Sequence, residues 1–177
     1  MPKHIVILSG SPRKNGNTDK LITAFQTGTV AAGNVVSLFH TANMNIYPCS
    51  GCEYCHDYPG QCVLQDDMED VLEALEIADV IVWASPVYFF SFSAQLKTAI
   101  DRCYPLINEG AKQTALLLTC ADEDCDTAAG ATAIYERMLR YYKWENAGVV
   151  IANGVEHLGD IAGHKALAEA EALGRGI

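Results

Sequence analysis

The chain has 177 residues, 50% of them hydrophobic, which is enough to bury a core without disulfide or metal staples and matches one domain over 1–177. A formal charge of −10, with only 12 scattered Lys and Arg, excludes a nucleic-acid surface, because phosphate-backbone binding needs clustered cations. Seven cysteines are an odd number for a disulfide framework, and no apolar run suits a secretory leader or a bilayer span, so the expectation is a soluble cytoplasmic protein with reduced thiols.

The first predicted element is an apolar strand at 5–8, running into the loop Ser9-Gly-Ser-Pro-Arg-Lys-Asn-Gly-Asn-Thr18 and a helix carried by Leu21, Ile22 and Phe25, with Asn17 or Thr18 as its cap. Strand, glycine-punctuated loop and helix together make an anion cradle. The helix start offers unpaired N–H groups and partial positive charge. Ser9, Ser11, Asn17 and Thr18 add side-chain donors, and Arg13 adds one fixed cation. The loop lacks the Gly-x-Gly-x-x-Gly spacing of dinucleotide folds. Nor is it a P-loop, since five residues separate Gly10 from Gly16 and Asn17 stands where the lysine belongs. What remains is a monophosphate held without a metal.

A second strand is predicted at 35–39. Residues 44–65 then show no periodicity but carry Cys49, Cys52, Cys55 and Cys62, and long excursions of this kind in compact domains are usually functional. Met68, Leu72 and Leu75 predict a helix capped by Asp66 or Asp67, whose acidic start complements the helix dipole rather than marking a divalent-metal site. A third strand at 80–84 delivers Ser85-Pro-Val-Tyr-Phe-Phe90. Leu96, Ile100 and Cys103 form the next helical stripe, capped by Ser93 and ended by Pro105. On that helix Lys97, Asp101 and Arg102 read as an ion-pair or subunit-contact feature, and Cys103 as core. A fourth strand at 115–118 leads to a loop from Thr119 to Cys125, in which Cys120 and Cys125 are unlinked thiols or a redox pair. Ile134, Met138 and Tyr141 then predict a helix, with Tyr135, Tyr142 and Trp144 marking core or an oligomer surface. A strand at 149–152 and a helix at 164–173 complete the pattern.

Five strands alternating with helices predict an α/β, doubly wound parallel sheet of order 2-1-3-4-5, helices on both faces, with ligands at the carboxyl edge between strands one and three. The loops 9–18 and 85–90 meet there. Tyr88 and Phe89 offer a flat apolar wall, and a tight loop exposes backbone N–H groups; an isoalloxazine ring needs both.

Gly10-Ser-Pro-Arg13 with Gly16-Asn-Thr18, Pro48-Cys-x-Gly-Cys-x-x-Cys55, Asp66-Asp-Met68, Ser85-Pro-Val-Tyr88 and Gln95-Leu-Lys-x-x-Ile-Asp-Arg102 together resemble the NADPH-dependent FMN reductase and iron-sulfur flavoprotein group of flavodoxin-like proteins. The resemblance runs from Ile5 to about Tyr104. It implies FMN, with its phosphate on Ser9, Ser11, Arg13, Asn17 and Thr18 and its ring against Pro86, Val87, Tyr88 and Phe89. Pro12, Gly16 and Ser85 complete these two loops, and Thr119 and Cys120 belong to an implied third contact loop.

The spacing Cys49-x2-Cys52-x2-Cys55-x6-Cys62 suits three occupants. Three cysteines two residues apart can wrap one face of a [4Fe-4S] cluster while the fourth closes it, as the resemblance to iron-sulfur flavoproteins implies. A structural zinc site and free thiols along a substrate wall are the other two readings. His56, beside the motif, reads as exposed rather than ligating.

The expected function is oxidoreduction, with FMN passing electrons from NAD(P)H to a small acceptor such as a quinone or free flavin and with no dedicated acid or base. Two alternatives are an electron-transfer protein using FMN and a cluster with a redox partner protein, and a non-catalytic phosphate-ligand domain. A homodimer or homotetramer is expected from the resemblance.

Overall fold

Short apolar strands bury both faces only when helices cover the sheet on each side, and the chain folds in that way. A computed structural model describes residues 1–108 and 110–177, with the side chains at 107, 108 and 125 outside the description. Its strands are β1 (His4–Ser9), β2 (Val35–His40), β3 (Val80–Tyr88), β4 (Ser91–Phe92), β5 (Gln113–Thr119) and β6 (Glu145–Ala152). The five longer strands pair in parallel in the order β2-β1-β3-β5-β6, which is the predicted order when the short β4 is left out. The two-residue β4 folds back antiparallel on the end of β3 and gives no signal in the hydrophobic pattern.

The helices are α1 (Asn17–Ala31), α2 (Tyr54–Asp57), α3 (Met68–Glu76), α4 (Ala94–Arg102), α5 (Ala129–Tyr142) and α6 (Lys165–Gly176). Alternation along β1 divides the core. Val6 and Leu8 face α3, α4 and α5, whereas Ile5 and Ile7 face α1 and α6. Among the described residues no helix is long and apolar enough to cross a membrane.

Helix ends follow the sequence in part. Ser93 caps α4, its Oγ accepting from the Leu96 N–H at 3.3 Å, and α4 stops at Arg102 before a 3₁₀ turn, Tyr104–Asn108, that contains Pro105. The first helix departs from expectation. Gly16, not Asn17 or Thr18, occupies the cap position, because both of those side chains are buried in tertiary hydrogen bonds. Asp67 flanks α3 without capping it, while Asp66 Oδ1 accepts from the Met68 N–H at 3.0 Å. The late aromatics divide. Tyr135 is buried with its hydroxyl on Thr114 and Asn146, Trp144 is buried with Nε1 donating to the Gly110 carbonyl, and Tyr141 is exposed.

The turn joining β3 to β4 is strained. Tyr88 pairs with Ser91, so Phe89 and Phe90 alone form the loop, with φ of 48° and 67°. Two-residue hairpins of this hand demand positive φ at both positions and favour Asn-Gly. Bulky residues held there cost of order 1–3 kcal/mol each. Replacing Phe89-Phe90 by Asn-Gly should therefore raise the unfolding free energy by about 1–3 kcal/mol in urea titration. Equal or lower stability would show that the phenyl rings repay the strain by packing.

Candidate functional site

At the carboxyl edge the first loop is pinned before it can reach a ligand. The Gly10 N–H donates to the Ala84 carbonyl at 2.8 Å, and Ser93 Oγ donates to the Gly10 carbonyl at 2.7 Å. A side chain at Gly10 would collide with Ser93 Oγ and lie 2.5 Å from Leu96 Cβ, so only glycine lets α4 pack this closely. Further on, the Arg13 N–H donates to Ser11 Oγ at 3.3 Å, and the Gly16 N–H closes a turn onto the Arg13 carbonyl at 3.1 Å. The loop thereby curls around the start of α1, which has no side-chain cap.

A cavity of about 240 Å³ opens beside that helix start. Ser11, Arg13, Asn17 and Thr18 line one side, Pro86, Val87 and Tyr88 a second, and Thr119 and Ala121 a third. All three predicted loops therefore contribute. Val155 and Glu156 supply a fourth side from the loop after β6, which the sequence reading did not include. The signal for that loop was topological: in a parallel sheet the connection after the last strand leaves from the same edge as the others.

Several predicted ligands are engaged elsewhere. Asn17 Nδ2 donates to the carbonyls of Val155 (3.2 Å) and His157 (2.9 Å), and Oδ1 accepts from the N–H groups of Gly159 (3.2 Å) and Ile161 (3.5 Å). Its side chain holds the fourth loop. Thr18 and Thr119 share a hydroxyl hydrogen bond of 2.7 Å, and Arg13 Nη1 donates to the Glu156 carbonyl at 2.9 Å. Ser85 Oγ donates to the Pro86 carbonyl and accepts from the Ser93 N–H, fixing the hairpin root. Cys120 is buried, its N–H on the Ala152 carbonyl, and burial pushes its thiol up. The redox pair suggested for Cys120 and Cys125 involves a side chain outside the described residues. Pro12 and Phe89 do not line the cavity; Phe89 stands at the hairpin tip, 95% exposed.

These features fit a monophosphate ester joined to a flat ring. The cavity combines an uncapped helix start, Ser11 and Arg13 from the first loop with Pro86, Val87 and Tyr88 from the hairpin. Ser9 Oγ, beneath the loop, is buried without a partner.

The cysteines form a second site. Cys49, Cys52, Cys55 and Cys62 line one small hollow of about 30 Å³, together with Tyr54, Arg102 and Tyr104. Left-handed backbone at Gly51 and Glu53 turns the chain between them. Hydrogen bonds from the Tyr54 backbone and Ser50 hold the Cys52 thiol below its ordinary value, while burial and the neighbouring Cys62, Cys49 and Cys52 push Cys55 up. Among the described residues no three His, Cys, Asp or Glu side chains converge as a single metal ion requires. The four thiols nonetheless line one hollow, and four thiolates are the donor set of both a tetrahedral zinc and a cubane. His56 is exposed and stacks on Tyr104, with centroids 5.2 Å apart.

The profile of the NADPH-dependent FMN reductase family matches residues 3–138. The chain belongs to that family. The match includes the first loop, the four cysteines, the hairpin and Thr119, but stops before the fourth loop. The chain is 37% identical over 102 residues to an iron-sulfur flavoprotein of Methanocaldococcus jannaschii, covering 58% of this chain and 52% of that protein. Over 96 residues it is 40% identical to an iron-sulfur flavoprotein of Archaeoglobus fulgidus, covering 54% and 43%. It thus spans about half the length of the curated relatives it matches. In structure it resembles an NAD(P)H:quinone oxidoreductase from Methanothermobacter marburgensis, with TM-score 0.76 and 22% identity over 99% of this chain and 96% of that one. An azoreductase from Bacillus anthracis has TM-score 0.75 at 17% identity, covering 99% and 100%. These two likenesses establish a shared flavodoxin-like fold.

In this FMN reductase family member a buried ion pair adjoins the cysteines. Arg102 Nη1 and Asp66 Oδ2 lie 2.7 Å apart with both side chains inaccessible. Burial opposes both charges, but Arg102 and the N–H groups of Tyr47 and Met68 hold the Asp66 carboxyl below the usual range. A depressed folded-state pKa gives stability that is complete above the unfolded value, near pH 4, and is lost as pH falls through the folded value. Asp66→Asn should cost about 3–5 kcal/mol at pH 7, by stranding a buried cation. That difference should shrink steadily below pH 4 in unfolding titrations; a constant difference would mean that Asp66 is not ionised in the fold.

Proposed function

We propose that the chain binds FMN in the cavity between the first loop and the β3–β4 hairpin and moves electrons from NAD(P)H to a small acceptor. The observation that carries this reading is the make-up of one cavity: an uncapped helix start with Ser11, Arg13 and Thr18 and the hairpin residues Pro86, Val87 and Tyr88 line it together. Membership of the FMN reductase family supports it independently. When bound, FMN supplies the redox chemistry, accepting hydride from the nicotinamide and releasing electrons to the acceptor.

The chain's own groups bind, orient and enclose. The first-turn N–H groups of α1 and the Arg13 guanidinium offset the phosphate charge. Gly10 lets α4 pack against the loop, Gly16 lets the loop turn back on the Arg13 carbonyl, and the Thr18–Thr119 bond braces the cavity wall. Asn17 acts through the loop it holds, so its part is positioning. No side chain in this reading is a dedicated acid or base.

The cysteine hollow favours a second reading. Four thiols around one hollow beside a buried cation are a donor set for a [4Fe-4S] cluster, and relatives carry the name iron-sulfur flavoprotein. Under that reading electrons pass between FMN, the cluster and a redox partner protein. Seven cysteines with no disulfide among the described residues accord with a reducing, cytoplasmic setting, and a homodimer or homotetramer belongs to the same reading.

Protein purified without air should be yellow and retain FMN, with added iron and sulfide absorbance only if the cluster reading holds. A colourless chain that does not quench FMN fluorescence on titration would overturn both readings. Arg13→Ala should weaken FMN binding by about 1.5–3 kcal/mol, the scale of a hydrogen bond to a charged group. Unchanged affinity would leave Arg13 with only its bond to the Glu156 carbonyl.

A further inference from the structure

The four-cysteine segment is irregular apart from one helical turn, yet one side chain fastens both of its ends. Arg102, the last residue of α4, is 2% exposed although charged. Its Nη1 donates to the Tyr47 carbonyl at 2.8 Å and to Asp66 Oδ2 at 2.7 Å. Nη2 donates to Asp66 Oδ1 at 3.1 Å and to the Leu64 carbonyl at 3.3 Å. Asp66 returns the contact, its Oδ2 accepting from the Tyr47 N–H at 2.7 Å. Tyr47 stands just before Cys49, and Leu64 and Asp66 stand just after Cys62. One guanidinium therefore closes the neck of the loop.

The same guanidinium also faces the sulfurs. Arg102 lines the hollow with Cys49, Cys52, Cys55 and Cys62, whereas Asp66 does not. Its remaining donor, Nε, is buried without an oxygen or nitrogen acceptor, and the neighbouring Cys62 thiol interacts with the guanidinium. A buried charge is retained only where something repays its desolvation, and Asp66 meets two of the three guanidinium nitrogens. Sulfur is therefore the acceptor within reach of the donor that Asp66 leaves over. Thiolates gathered on a metal cluster are such acceptors, and hydrogen bonds and charge near cluster sulfurs set the reduction potential.

We propose that Arg102 is a positioning residue for the four-cysteine site, its fork closing the loop neck around Tyr47, Leu64 and Asp66 while its Nε–H and positive charge serve an anionic sulfur-held cluster. This rests on the iron-sulfur reading above. The guanidinium fork supplies the closure, and the charge favours the reduced, more negative cluster. The two contributions separate by substitution: lysine keeps the charge and loses the fork, and glutamine loses both.

The test compares the unsubstituted chain with Arg102→Lys, Arg102→Gln and, as a control on the exposed side of α4, Lys97→Gln. Each is made without air and reconstituted with ferrous iron and sulfide. Three quantities are read: iron and sulfide per chain, the midpoint potential of the cluster, and hydrogen exchange over 47–66 in the cluster-free chain. Both Arg102 variants should speed exchange over 47–66 by about tenfold or more and reduce iron retention, with Lys97→Gln unchanged. In Arg102→Gln the remaining cluster should be harder to reduce by about tenfold in equilibrium constant, about 59 mV for one electron, while Arg102→Lys keeps most of the potential. Should Arg102→Gln not fold, the double variant Arg102→Met, Asp66→Leu removes both charges together and takes its place. Unchanged exchange and unchanged iron content would overturn the proposal, and so would an unchanged potential for its charge half. An unsubstituted chain that folds and binds FMN but takes up no iron would overturn the cluster reading itself, and the charge half with it.

Discussion

Because the five longer strands run parallel, every connection from a strand to its following helix is forced to one edge of the sheet. The remaining organisation depends on that constraint. β1 lies between β2 and β3, so the chain reverses its winding there and opens a crevice where two neighbouring loops diverge. Gly10 sits at that point, bonded to the middle of β3 through Ala84 and pressed against α4 through Ser93. The cavity is therefore framed by backbone geometry before any ligand enters.

Polar residues at this edge divide their labour. Ser85, Ser93 and Asn17 are rich in donors and acceptors, yet their hydrogen bonds go to neighbouring loops. Burial makes such satisfaction obligatory, since an unmatched amide or hydroxyl inside the fold is costly. What remains directed at the cavity is the uncapped start of α1, and Arg13 at the mouth. Both suit an anion. The strained Phe89-Phe90 turn completes the contrast, because it holds two bulky residues at the positive φ that this hairpin demands.

The cysteine excursion follows different physics. With little regular backbone pairing, it cannot hold its shape by helix or sheet hydrogen bonds, and the Arg102–Asp66 pair substitutes for them. The pair is costly to desolvate, which makes it a poor general stabiliser but a precise spatial anchor. Rings extend the anchoring outward: His56 stacks on Tyr104, which meets Tyr141, and Tyr142 stacks on Trp144 at 4.2 Å. Thus α2, α4 and α5 hold the cysteine hollow on the sheet face that α3, α4 and α5 cover, with no lining residue in common with the first cavity.

The apolar runs at 5–8, 80–84 and 115–118, and the helical stripes between them, determined the alternation of strands and helices that makes a doubly wound sheet. Hydrophobic periodicity is local, and burial enforces it whatever the partners. The composition of the first loop likewise marked it as a cradle suited to an anion. Only the tertiary structure decided which donors are free to meet it. Asn17 looks like a ligand in sequence, but it lies against a loop about 140 residues away that takes all of its hydrogen bonds. Arg102 looks like one more charge on a helix surface, but the returning excursion buries it. Both outcomes rest on long-range approach, which residue type and spacing along the chain do not encode.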